Sequence, residues 1–151
     1  STLEEAKADI SGLWALQQLM DKGVLDKRQE QAMYVTFLAS TFRTLRFGLT
    51  ESHAKGMAIQ VNLLLEKGGF KVASDGTFSV DFARIKDAVR EVDTLLLDLE
   101  ATGDHAGAKK LLAEKGGIPA AVQRVIDAST DIPTDIEPIF VTAEELAPVR
   151  R

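Results

Sequence analysis

The chain has 151 residues, 45% of them apolar and 27% charged, with a formal net charge of −5 and no cysteine. That length supports a sizeable core in one domain or two small lobes, and the acidic balance, with no basic run among aromatics, excludes a nucleic-acid surface. Absent cysteine rules out a disulfide framework, a thiolate nucleophile and a Cys-ligated zinc, and apolar runs such as Leu63-Leu64-Leu65 are far too short to cross a membrane.

Residues 3–22 read as a helix, since Leu3, Ala6, Ile10, Leu13, Leu16 and Met20 recur at three and four and Gly23 stops the pattern. A second helix is expected over 27–47, ended by Gly48, and a third over 51–67 with Thr50 as its cap and Gly68-Gly69 as its stop. The periodicity then changes: two short apolar runs flank Asp75-Gly76, a strong turn signal, which predicts a hairpin over 70–80. Asp81 is placed to cap a fourth helix over 82–101. Thr102-Gly103-Asp104 breaks that helix, and further helices follow over 105–115 and 120–128, the last with Pro119 at its start. The tail over 129–151 carries two prolines and alternating apolar residues and is expected to run extended across the body. The fold class is mainly α, with one small β-hairpin.

Two polar clusters stand out. Glu4, Glu5 and Asp9 fall in the first turns of helix one, and Ser1 and Thr2 stand three residues before Glu4 and Glu5, the spacing of a capping box. Acidic residues there also complement the free amides of a helix start. The other reading uses geometry: Glu5 and Asp9 are four apart and share a face, so one could ligate a metal while the other orients a ligand. A catalytic zinc needs three protein ligands, so such a site would be incomplete. His53, near the start of the third helix, is favoured as a neutral imidazole able to donate one hydrogen bond to a developing oxyanion; capping by Thr50 or Glu51 is the alternative. His105 reads as a solvated loop residue. Trp14, Phe37, Phe42 and Phe47 fit apolar helix patterns as core, and Arg43 and Arg46 read as solvated, with carboxylate anchoring as the second option. No glycine pair follows a strand and precedes Lys-Ser, so no phosphate loop is present.

The segment Leu3-Glu4-Glu5-Ala6-Lys7-Ala8-Asp9 resembles the Glu-Glu-x-x-Ala-acidic segment of the dipeptidyl peptidase III family of zinc metallopeptidases. Ser40 to Gly48, then Glu51-Ser52-His53-Ala54-Lys55-Gly56, is similar to the bacterial branch of that family, some members of which carry a nudix-related label. Phe78-Ser79-Val80-Asp81 and Thr102-Gly103-Asp104-His105-Ala106-Gly107 are similar to its carboxy-terminal portion, so the resemblance covers nearly the whole chain. It implies a helical fragment of a catalytic domain. It further implies that Glu5 is a zinc ligand, Glu4 its acidic neighbour in the site, Asp9 an acidic support behind it, and His53 the group that contacts the substrate and stabilises the tetrahedral transition state. The family's zinc-binding His-Glu helix is absent from these residues, so zinc, a peptide substrate and an upstream part of the same chain are the implied partners, with no nucleic acid and no membrane. The implied reaction is removal of dipeptides from peptide amino-termini, with the fragment alone inactive. Met57 stands where some members carry a substrate-binding arginine.

The alternative is a non-enzymatic helical protein-interaction module whose acidic first turn is only a cap. A nudix pyrophosphatase is disfavoured, because the Arg-Glu-x-x-Glu-Glu pattern and the glycine before it are missing. The polar start shows no signal-peptide pattern and the chain lacks cysteine, which points to a cytoplasmic location.

Overall fold

The computed structural model describes residues 1–133. Helix α1, Thr2–Asp21, opens with Ser1 as its N-cap in a reciprocal capping box with Glu4. Its buried row is Ala6, Ile10, Leu13, Gln17 and Met20, the three-and-four spacing of the sequence with one polar member. The helix expected over 27–47 is divided. Asp26 accepts a hydrogen bond from the Arg28 amide and starts a 3-10 turn at Lys27–Gln29, after which α2 runs Glu30–Leu45. Because α2 stops at Leu45 and Gly48 takes a φ of +82°, Phe47 falls in the turn and is 49% exposed, where a core position was expected.

Helix α3, Ser52–Glu66, follows Glu51 rather than Thr50, since Glu51 is extended and no side chain caps the start. It is the central helix, with Ala54, Gly56 to Val61, Leu63 and Leu64 all buried, and it packs on α1 and α2. Full burial of an aliphatic side chain contributes about 1.5–3 kcal/mol, whereas a missing cap costs about 1 kcal/mol, so packing holds α3 in place.

The hairpin pairs β1, Phe70–Val72, with β2, Phe78–Val80, in the register Phe70↔Val80, Lys71↔Ser79, Val72↔Phe78. Phe78 meets Phe42 edge-on at 5.0 Å between ring centres, which seats the hairpin on α2. Helix α4, Ile85–Thr102, begins three residues later than Asp81 predicts. Asp81 closes a turn instead, accepting from the Ala83 amide at 3.0 Å and pairing with Lys71 of β1. Helices α5, His105–Lys115, and α6, Ala120–Ala128, start at Asp104 and after Pro119, as their spacing indicates.

Past α6 the chain turns where an extended path was expected, with the Ile132 amide bonded to the Ser129 carbonyl. The remainder of the expected extended tail lies outside the described residues. Arg46 donates to the carbonyls of Ile132 at 2.8 Å and Pro133 at 3.0 Å, tying this turn to the end of α2.

One polar network enters the core. Tyr34 donates to Gln17 Oε1 at 2.9 Å, Gln17 Nε2 donates to Glu30 at 3.0 Å, and Lys86 reaches Glu30 at 2.9 Å and Asp21 at 3.2 Å. It joins the end of α1 to the starts of α2 and α4. Among the described residues no helix is long and apolar enough to cross a membrane.

Candidate functional site

Glu5 and Asp9 lie one turn apart on the face of α1 that meets α3. The two helices come unusually close there because position 56 has no side chain. A β-carbon on Gly56 would sit 3.1 Å from the Ala6 amide nitrogen, 3.1 Å from the Thr2 carbonyl oxygen and 3.3 Å from Glu5 Cβ. One turn earlier on α3, His53 is carried into reach of both carboxylates.

His53 is the second residue of α3, closer to the helix start than its sequence position suggested. Its Nδ1 lies 3.3 Å from Glu5 Oε2, and its Nε2 lies 3.8 Å from Asp9 Oδ2. A carboxylate only accepts, so a hydrogen bond between them is donated by the ring, in the tautomer that carries its proton on Nδ1. Both His53 and Glu5 are about half exposed, at 51% and 46%, and Asp9 less so at 28%. Behind Asp9, the fully buried Gln60 donates from Nε2 to the same Oδ2 at 3.0 Å. The result is a chain of contacts, Glu5 to His53 to Asp9 to Gln60, that runs from open surface into the core.

The other singled-out residues are placed differently. Glu4 turns back to the Ser1 amino group at 3.3 Å, as the capping-box spacing predicts. His105 is exposed at the start of α5, with its neighbour Asp104 capping that helix. Met57 is 4% exposed and packs inward, with the Thr41 hydroxyl 3.6 Å from its sulfur, so no substrate carboxylate is anchored at this position.

No family model matches the chain. It is 47% identical over 148 residues to "Nudix hydrolase 3" of Arabidopsis thaliana, a match that takes in 97% of this chain and 19% of the plant protein. Among solved structures, dipeptidyl-peptidase III from Corallococcus sp. strain EGB superposes with a TM-score of 0.88 at 50% identity, over 98% of this chain and 28% of that one. The chain is similar to a segment of dipeptidyl-peptidase III. DPP III from Caldithrix abyssi agrees, with a TM-score of 0.89 at 38% identity, over 96% of this chain and again 28% of the other. The chain thus spans less than a third of the length of each protein it matches.

Among the described residues no group of three or more His, Asp or Glu is arranged to hold a metal. Both nitrogens of His53 face carboxylates, which leaves the half-exposed Glu5 carboxylate as a single oxygen donor. It fits one position of a zinc shell and no more. Two members of the cluster were not identified from the sequence. Gln60 and Gly56 follow His53 at seven and three residues, on the same face of α3; a polar residue in an otherwise apolar row was the available signal.

Proposed function

We propose that this chain supplies one wall of the active site of a zinc-dependent peptidase that removes dipeptides from the amino-termini of peptides in the cytoplasm. The observation that carries this reading is the meeting of Glu5 and Asp9 of α1 with His53 of α3, 48 residues after Glu5, in a chain 50% identical to a segment of a dipeptidyl-peptidase III. Glu5 holds the metal through its outward carboxylate, and the other ligands and the general base come from outside these residues. Bound zinc supplies polarisation of the scissile carbonyl and a more acidic water.

Within this chain, Asp9 backs His53 from the core side and keeps its ring at the rim of the site. In the tautomer with its proton on Nε2, His53 presents that N–H to the substrate oxygen that gains negative charge as the carbonyl carbon becomes tetrahedral. Glu4 adds negative charge beside the metal position. The 151 residues alone bind zinc weakly and cleave no peptide, since one half-solvated carboxylate makes a poor site.

The test is release of dipeptides from unblocked peptides by the zinc-loaded complete protein, before and after chelation, beside the 151-residue chain. Hydrolysis that survives chelation, or hydrolysis by the short chain, overturns the reading.

A further inference from the structure

We propose that Gln60 is a positioning residue that holds the Asp9 carboxylate against His53; this rests on the reading of His53 as a substrate contact. Gln60 is fully buried in the central helix, yet its side chain makes one hydrogen bond, from Nε2 to Asp9 Oδ2 at 3.0 Å. Among the described residues its Oε1 is buried with no partner. The amide is held in this sense, because a flip would set Oε1 against a carboxylate and give up the bond to Asp9. Its orientation is therefore dictated by Asp9 alone.

A buried acceptor without a donor lowers stability, and an apolar side chain of the same length would avoid that loss. Asp9 does not need Gln60 for solvation either. Its side chain is 28% exposed, so water can replace the amide donor. What water cannot replace is direction. The oxygen that accepts from Gln60 is the one 3.8 Å from His53 Nε2, so fixing Oδ2 fixes the wall against which the imidazole rests. Destabilising polar groups kept at such positions are characteristic of sites that trade stability for geometry.

Gln60→Met tests this, because methionine fills the same volume without a donor. In the 151-residue chain the imidazole nitrogen signals of His53, recorded by NMR at one fixed pH, are expected to move. The melting temperature is expected to hold or rise by about 3 °C. In the zinc-loaded complete protein kcat is expected to fall about tenfold with KM unchanged, the scale of losing a supporting hydrogen bond. Asp9→Asn supplies the control: if Gln60 acts through Asp9, adding Gln60→Met to that variant changes the His53 signals no further. Unmoved His53 signals in the single variant, or an undiminished shift in the double variant, overturn the proposal. A large loss of melting temperature does so as well, since it assigns Gln60 to the core. If the complete protein has no peptidase activity, the proposed function fails while the NMR comparison still decides whether Gln60 holds Asp9.

Discussion

Gly56 abuts the backbone of α1 so closely that a β-carbon there would stand 3.3 Å from Glu5 Cβ. This contact sets the distance between the first turns of α1 and α3. It is why His53, three residues before Gly56, reaches a carboxylate that lies 48 residues earlier in the chain.

Replacing Gly56 therefore sets two effects against each other. A glycine inside a helix costs about 0.5–1 kcal/mol relative to alanine, so any side chain brings some local gain. Against it, the new atoms meet the Ala6 nitrogen and the Thr2 oxygen, both backbone, which cannot swing aside as a side chain would. Overpacking of that kind costs about 1–3 kcal/mol and grows with size. Gly56→Val is expected to lower stability by about 2 kcal/mol in urea unfolding, on the scale of that overpacking, and to separate His53 from Glu5. A variant as stable as the parent would show that the helices are free to part.

The buried network at the other end of α1 gives a second expectation. Burial raises the Tyr34 hydroxyl far above its ordinary pKa, so it remains a neutral donor to Gln17. Tyr34→Phe leaves Gln17 Oε1 buried without a donor, for which about 1–3 kcal/mol is the usual loss. Equilibrium unfolding measures it, and a neutral substitution would mean that water enters beside Gln17.

Acid should act through Asp21. The Gln17 amide and the Lys27 and Lys86 ammonium groups hold its carboxyl down at about 2. A group depressed in the folded state stabilises above its unfolded pKa, near 4, and loses that contribution as pH falls through the folded value. Stability is therefore expected to decline between about pH 4 and pH 2, measured as the urea midpoint at each pH. In Lys86→Met, which lets the folded pKa rise toward the unfolded value, the decline should be smaller and end at higher pH. An unchanged acid profile in that variant would remove Lys86 from the network.

His53→Ala in the complete protein is expected to lower kcat by about 100- to 1000-fold with KM little changed, the range for loss of one oxyanion donor. A rise in KM alone would make His53 a binding contact only.

What the sequence made legible was local. Asp75-Gly76 between two apolar runs gave the hairpin, and Asp104 and Pro119 gave the starts of α5 and α6. Where tertiary partners compete, local signals misled. Asp81 has the form of a helix cap, but hairpin pairing brings Lys71 beside it and its carboxylate closes the turn to Ala83. Thr50 gave way to Glu51 because α3 is held by its buried face and not by a cap. In the candidate site, Glu5, Asp9 and His53 could be named from their motifs. Gln60 could not, because its meaning depends on Asp9, 51 residues away, and Gly56 needed the partner helix before its missing side chain had a consequence.

The central claim is that Glu5 holds a zinc ion, and the most direct measurement is the metal content of the complete protein with and without Glu5→Ala. The parent is expected to carry one zinc per chain, as a catalytic site does, and the variant to lose it on dialysis. Equal zinc in both proteins would take Glu5 out of the metal site and leave the acidic first turn of α1 as a helix cap.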